Sequence, residues 1–346
     1  MTEIPAAAVL SSFDRDPAIA TPLGLAALAK RAFDGEDLTA LRSHLIGRMI
    51  AEPENAAVLL DLSILEQLTG EAADAQALQY RALGRSRLFR RPVEGATPAL
   101  RLLAFMAPGD FMANTPLEFL LEGSDATLDM LYLLPGEPLP TEIPEHDLAF
   151  VAIGESEASQ PLLGDLAKQL RQWPRPVLNS PERIARLSRD GAFELLRGAP
   201  GISIPRTRRI GRAELLTLPA ETFPIILRPI GSHAGEGLEK IESASGIADY
   251  LQRIGGSEFY LAPFVDYRGP DGLFRKYRIA LIEGRPYASH GAISSHWMIH
   301  YLNAGMRESA EKRTEEARWM AEFDHDFALR HGDALRALAE RVGLDY

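Results

Sequence analysis

The chain contains no cysteine. That excludes disulfides, thiolate metal centres and a cysteine nucleophile, and it leaves thiol usage silent about redox compartment. Long apolar runs are missing too: none approaches the ~20 residues needed to span a bilayer. The opening stretch MTEIPAAAVLSSFDRD lacks the basic flank and apolar core of a secretory leader. No membrane partner is expected, and the expected location is the cytoplasm. There is no basic excess, since 37 Lys and Arg stand against 48 Asp and Glu for a net charge of -11. A general affinity for nucleic acid is therefore disfavoured, and any anion site must be a local feature. What is present is ordinary globular composition, 46% hydrophobic and 25% charged, which argues against disorder. At 346 residues the chain is long enough for two or three domains.

Residues 23 to about 90 read as consecutive helices. Leu38, Leu41, Leu45 and Met49 share one face, and Val58, Leu62 and Leu65 another, at spacings of three and four. Asn55 after Pro53 is placed to cap the second helix, and Gly70 to end it in the left-handed conformation. The pairs Gly35-Glu36 and Gly70-Glu71 recur at an offset of 35, close to the ~34 residues of tetratricopeptide repeats, which the pattern resembles, although any helical hairpin bundle also fits two glycine turns. The repeat reading implies a surface for a protein or peptide partner. Arg90-Arg91-Pro92 through Pro98 is the expected linker, so residues 1–92 are expected to form a helical domain.

From 98 to 180 the pattern changes to apolar runs alternating with helical stretches, which predicts a small parallel α/β domain. Leu100 to Ala107, Ala126 to Leu134 and Asp147 to Ile153 are the strand candidates, with helices over residues 115–122 and from Gln160 to Trp173. Gly154-Glu155-Ser156 follows the third strand, where open sheets place ligands, but three residues carry no spacing code and a plain loop is the simpler reading.

The stretch that organises the rest is FPIILRPIGSHAGEG, residues 223 to 237. Ile225, Ile226 and Leu227 between two prolines predict a short strand, and Arg228 at its end is the anomaly. A guanidinium at the inner end of an apolar run needs anionic partners or costs several kcal/mol. The loop after it spaces Gly231, Gly235 and Gly237 around Ser232 and His233, so that backbone N–H groups can converge on phosphate. A salt-bridged arginine followed by a flexible hairpin is the alternative. Further along, VLNSPERIARLSRDGAFELL predicts a helix opened by Asn179-Ser180-Pro181. EFYLAPFVDY predicts an aromatic strand, and FRKYRIALIEGRPYASHGAIS a hairpin turning at Glu283-Gly284.

This succession over about residues 98 to 310 resembles the ATP-grasp superfamily, in particular its glutathione-synthetase and ribosomal-modification branch. The resemblance implies an α/β fold, α+β in its C-terminal part, with an ATP-grasp domain over 181–346. It also implies an ATP-dependent ligase joining a carboxylate to an amine or thiol through an acyl phosphate. Arg189 and Arg228 would hold the α- and β-phosphates, Ser232, His233, Gly235 and Gly237 would belong to the flap, and the backbone around Leu261, Ala262 and Phe264 would meet adenine. Asp266 would reach the ribose, and Arg278 would serve the γ-phosphate and acyl phosphate. Lys276 stands where the family often has an acidic residue. His290, Ser294, Ser295 and His296, with His300 nearby, are candidates for substrate contact, or for a plain hairpin with exposed histidines; they lack a carboxylate at metal-ligand spacing. Taken singly, each arginine also reads as a solvated charge.

The cofactors implied are ATP and Mg2+, and the partner is an unidentified small-molecule, peptide or protein substrate. The rival reading is a helical adaptor, or a nucleotide-binding pseudoenzyme. Residues 311–342 predict an amphipathic helix with Gly332 as its break, after which the family places magnesium carboxylates on adjacent strands. GLDY at the end resembles entry to the first of them, and Asp324 and Asp326 are better read as a solvated face. No metal ligands are expected within the chain; they are expected beyond Tyr346, as in a truncated ligase.

Overall fold

The computed structural model describes residues 19–91, 98–233, 235–300 and 303–346. Residues 1–18, and residues 92–97 of the linker expected from Arg90 to Pro98, lie outside the described residues. The chain divides into two compact units, Met1–Ala185 and Arg186–Tyr346.

Among the described residues the first unit opens with four helices, Leu25–Phe33, Thr39–Ala51, Ala56–Thr69 and Ala72–Leu83. The Asn55 side chain accepts from the Val58 N–H at the start of the third, and Gly70 ends it at φ 93°, as their positions predict. That third helix is buried continuously from Val58 to Glu66 rather than along one stripe. It is the central member of a bundle, and its packing adds nothing to the tetratricopeptide resemblance.

Five strands follow: β1 (Leu88–Arg90), β2 (Arg101–Met106), β3 (Thr127–Tyr132), β4 (Leu148–Val151) and β5 (Val177–Leu178). They form one sheet in the order β1-β3-β2-β4-β5, parallel except for the antiparallel pair of β1 with β3. The three apolar runs are its middle strands, buried almost throughout. The helix expected at 115–122 is the single turn Leu117–Leu120, and that expected from Gln160 runs to Leu170. In the Gly154–Ser156 loop the Ser159 hydroxyl donates to the Gly154 carbonyl at 2.7 Å and the Ser156 N–H to Ser159 Oγ at 2.9 Å, so its polar groups serve the loop itself.

The expected boundary near residue 92 does not separate compact units. Within the helical part buried Asp61 accepts from the backbone N–H groups of Leu23 and Gly24 at 2.9 and 3.0 Å, and two further contacts cross the boundary. Glu118, after β2, accepts from the Ala26 N–H at 2.9 Å, and the Gln79 amide exchanges two hydrogen bonds with the Gly109 backbone. Leaving these polar groups unmade would be costly, so helices and sheet fold as one body.

In the second unit β6 (Arg208–Gly211), β7 (Ile225–Pro229), β8 (Glu239–Ile241) and β9 (Glu258–Pro263) form an antiparallel sheet in the order β6-β9-β7-β8. Side chains alternate across it. Ile210, Ile225, Leu227, Ile241, Phe259 and Leu261 form the core face, covered by Ile247, Tyr250 and Leu251 of the helix Ala244–Arg253. Next come β10 (Phe274–Ile282) and β11 (Arg285–Ser294), a hairpin turned by Glu283 and Gly284 at φ 50° and 74°. One face of the hairpin packs on the helix Ala310–Ala321, where Tyr277 stacks on Trp319 at 4.7 Å and Arg275 pairs with Glu315. The C-terminal helix breaks earlier than expected, between Ala321 and Phe327, and Gly332 lies inside the second piece, Phe327–Val342. Phe323 turns inward there to 3% exposure against Trp319 and Phe327, and that burial outweighs the ~1 kcal/mol an interior glycine costs a helix. Asp324 therefore lies in the turn between the two helices, and Asp326 stands at the N-cap position of the second without a capping hydrogen bond and pairs with Arg330.

Candidate functional site

Register places the unusual side chains on the face of the sheet away from its core. Tyr260 lies opposite Arg228 on one side and Arg209 on the other, and Ile226 lies between Lys240 and Ala262. Burial of Tyr260 on that face is completed by two guanidiniums, those of Arg189 and Arg209, each 5.6 Å from its ring centroid. Arg189 arrives as the first residue of the helix Arg189–Leu196, whose start is fixed by Ser188 accepting from the Gly191 N–H. The helix expected from residue 181 is thus two short ones, Pro181–Ile184 and Arg189–Leu196, and the break puts Arg189 at the sheet.

Arg228 is half-buried, and its acceptors among the described residues are neutral. Its Nε donates to Ser232 Oγ at 3.1 Å, and its Nη2 donates to the same hydroxyl at 3.0 Å and to the Ser232 carbonyl. Arg189 donates to that same carbonyl at 3.5 Å. Two cations therefore converge on one neutral oxygen. Among the described residues no carboxylate forms an ion pair with either. Burial, and then the neighbouring Arg189, pull the Arg228 guanidinium down to about 10. The loop that supplies Ser232 is held by Ser232 Oγ donating to the Pro229 carbonyl at 2.8 Å and by a turn from His233 to Glu236. Gly237 has φ +59°, and a Cβ there would stand 2.7 Å from Pro229 Cδ, so the close return of the loop onto β7 requires glycine. Ala234, within the expected flap, lies outside the described residues.

The expected hinge is partly engaged elsewhere. Leu261 sits in the core at 5% exposure, which leaves only its backbone for a ligand. Ala262 and Pro263 extend past the last β6 pair, Arg208 with Leu261, so the strand edge is open there. The Phe264 N–H donates to the Pro224 carbonyl at 3.0 Å, while its ring lies 3.9 Å below Lys240 Nζ and meets Trp297 edge-on at 5.9 Å. Asp266 is exposed and held by Arg268 through two acceptor oxygens, so its carboxylate is not free for a ribose.

A second cationic group lies on the hairpin. Arg278 is exposed opposite His290, and Lys276 shares their face two residues away. Lys276 donates to the Ile299 carbonyl at 3.2 Å, and burial followed by Arg278 holds its ammonium below the ordinary lysine range. Burial and then Arg278 likewise depress His290. The other expected substrate residues are not gathered with them. Ser294 is buried at the end of β11 with its hydroxyl accepting from the His296 N–H at 3.0 Å, Ser295 is exposed, and His296 accepts from the Met298 N–H and lies beside Trp297. The loop they begin does join the two groups. Tyr267 donates to the Trp297 carbonyl at 2.6 Å, Met298 Sδ lies 3.7 Å from where a Gly235 Cβ would be, and Ile299 receives Lys276.

Arg189, Arg228 and the glycine loop together offer a polyphosphate the donors it needs. Magnesium takes near-octahedral oxygen ligation with one or two carboxylates placed together. Among the described residues no three His, Asp or Glu side chains lie together as a metal-binding group. Lys240, Tyr260, Arg209 and Trp297 are contributors that sequence reasoning missed. Alternation in IILRP and EFYLAP carries the signal for Tyr260, but the strand order needed to set it beside Arg228 does not appear in local pattern.

No family model matches the chain, and no curated protein matches it. Among solved structures it is similar to a RimK domain ATP-grasp protein from Sphaerobacter thermophilus, at 17% identity over 70% of this chain and 82% of that one with a TM-score of 0.36. It is similar to the VanG D-Ala:D-Ser ligase from Enterococcus faecalis at 12% identity, 70% and 83% coverage and a TM-score of 0.41. It is also similar to the ATP-grasp ligase PsnB in complex with precursor peptide PsnA2 and AMPPNP, at 17% identity, 73% and 84% coverage and a TM-score of 0.38. Likenesses at this level carry no argument about the reaction, which must rest on the chain's own residues.

Proposed function

We propose that the second unit binds the phosphates of ATP between Arg189, Arg228 and the glycine loop, and that the protein is an ATP-dependent ligase of the carboxylate–amine or carboxylate–thiol class. The observation that carries this reading is the shared Ser232 carbonyl. Two guanidiniums that converge on one neutral oxygen, without a carboxylate, form a site whose favourable occupant is an anion. A phosphate oxygen in place of that carbonyl would take charge-assisted bonds from both arginines and release the loop to fold over the ligand. The open strand edge at Ala262 and Pro263, with Phe264 and Trp297 beside it, is the position for the base.

In the reaction proposed, the γ-phosphoryl group passes to a substrate carboxylate, giving ADP and an acyl phosphate. An amine or thiol then attacks the acyl carbon and inorganic phosphate leaves with the C–O bond electrons. Arg228 and Arg189 offset charge on the phosphates, while Arg278 and Lys276 hold the carboxylate that becomes the acyl phosphate. The acceptor is a small molecule, a peptide or a protein. AMPPNP titrated into the protein by calorimetry should bind, and Arg189→Gln should weaken binding by tenfold or more, the loss of one charge-assisted bond. Equal affinity for AMPPNP in that variant would refute the phosphate assignment.

A further inference from the structure

Arg189 and Arg228 carry like charge and converge on the Ser232 carbonyl, so something must hold them there against mutual repulsion and against the freedom of long side chains. Arg228 is anchored by its place in β7 and by donating to the Ser232 hydroxyl at 3.1 and 3.0 Å. Arg189 has much less. Among the described residues its one side-chain hydrogen bond is that to the Ser232 carbonyl, and at 3.5 Å this lies at the weak end of the range. Its guanidinium rests instead over the Tyr260 ring, 5.6 Å from the centroid. That ring is itself fixed. Tyr260 is 4% exposed in β9, and the register sets it between Arg209 of β6 and Arg228 of β7. Arg209 supports the arrangement from the neighbouring strand, since it donates to the Tyr260 hydroxyl at 3.4 Å and to Asp190, the residue after Arg189, at 3.1 Å.

We infer that Tyr260 is the positioning residue for Arg189, its ring holding that guanidinium beside Ser232 before any ligand arrives. This rests on the phosphate-binding reading above and goes beyond it, because Tyr260 acts through Arg189 without touching the ligand. The ring attracts the cation through its quadrupole. An arginine already ordered loses less freedom when an anion binds, so the contribution of the ring is read as ligand affinity. The role belongs to the ring and not to the hydroxyl, whose bond to Arg209 is long. An aromatic side chain without the hydroxyl therefore serves at this position, and an aliphatic one of similar bulk does not.

The test is a double-mutant cycle on the full chain. AMPPNP and inorganic tripolyphosphate are titrated by calorimetry into the parent, Tyr260→Phe, Tyr260→Met, Arg189→Gln and the double variant Tyr260→Met/Arg189→Gln, with thermal midpoints as the check on folding. The inference expects Tyr260→Met to weaken binding about fivefold to thirtyfold, the worth of one cation–π contact, and Tyr260→Phe to stay within about twofold of the parent. In the Arg189→Gln background Tyr260→Met should have no further effect, whereas damage to β9 alone would weaken binding equally in both backgrounds. Where Tyr260→Met fails to fold, Tyr260→Leu takes its place in the cycle. An equal loss in both backgrounds, or a loss in Tyr260→Phe as large as in Tyr260→Met, overturns the inference and leaves the phosphate reading in place. Coupling seen with tripolyphosphate while AMPPNP stays unbound supports the inference and removes the nucleotide reading. Unchanged affinity in Arg189→Gln, or no binding of either probe, overturns both.

Discussion

Replacing Arg228 by methionine separates an arginine kept for a ligand from one kept for the fold. A buried arginine that pairs with a carboxylate is structural, and removing it costs 3–5 kcal/mol because a charge is left alone. Arg228 has no such partner among the described residues, and its guanidinium sits at about 10 because burial and Arg189 both oppose the charge. A gap of that size corresponds to about 3 kcal/mol, and solvent screening at a half-exposed group reduces the folded-state penalty to about 1 kcal/mol. The sign follows from proton binding. The folded state holds this proton less tightly than the unfolded state, so at neutral pH, with both forms charged, the group destabilises the fold, and the penalty fades only as pH rises past about 10. Against that relief stand the hydrogen bonds from Arg228 to Ser232, worth about 1 kcal/mol net.

The two contributions nearly cancel. Arg228→Met should therefore leave stability within about 1 kcal/mol of the parent, a shift of no more than about 4 °C in thermal midpoint for a unit of this size. The same substitution should lower AMPPNP affinity ten- to a hundredfold, because a charge-assisted phosphate contact is worth about 1.5–3 kcal/mol. Differential scanning calorimetry and titration on the same preparation read both quantities. A fall of 3 kcal/mol or more in stability with affinity intact would refute the reasoning and return Arg228 to a structural role.

Three further outcomes are expected. Gly237→Ala, at φ +59° with its Cβ 2.7 Å from Pro229 Cδ, should lower stability by about 1–3 kcal/mol in urea unfolding and weaken AMPPNP binding, whereas Gly231→Ala, with open space around it, should pay only for its own positive φ. Asn55→Ala removes the acceptor for the Val58 N–H and should cost about 1 kcal/mol in urea unfolding of the first unit, with nucleotide binding unchanged. Burial holds the Asp61 carboxyl up at about 6 despite the N–H groups of Leu23 and Gly24, so the native state binds that proton more tightly. Its contribution is then greatest at low pH and is lost as pH rises to about 6 and above, by up to about 3 kcal/mol, and Asp61→Asn should flatten that dependence in unfolding curves at pH 4.5 and 8.

The strands and the arginine were legible because local pattern and burial agree. IILRP between prolines forms β7, the three apolar runs of the first unit form β2, β3 and β4, and a charge closing an apolar run marks Arg228. What stayed hidden depends on partners distant in the chain. Three residues of β1 carry no period, yet β3 recruits them through the ion pair of Arg90 with buried Asp129 at 2.6 Å. The break at Phe323 follows from an aromatic cluster built by Tyr277, Trp319 and Phe327, and no helix propensity encodes that. The boundary expected near residue 92 was read from prolines, but Gln79 and Glu118 cross it with hydrogen bonds whose donors and acceptors no periodicity reveals.

The same limit governs the site. A family pattern can name Arg189, Arg228 and Arg278 one at a time, each indistinguishable from a solvated charge until its neighbours are known. Strand order then sets Tyr260 beside Arg228, a helix break sets Arg189 over Tyr260, and a loop carbonyl receives both guanidiniums. Lys276 acquires its meaning in the same way. Alone it is a departure from a motif, but beside Arg278 and His290, with Asp271 and Glu315 committed to Arg275, it makes that edge of the hairpin a place for negative charge. Under the proposed function, what each of these cations does is therefore set less by its own identity than by the neighbours that strand order and a helix break bring to it.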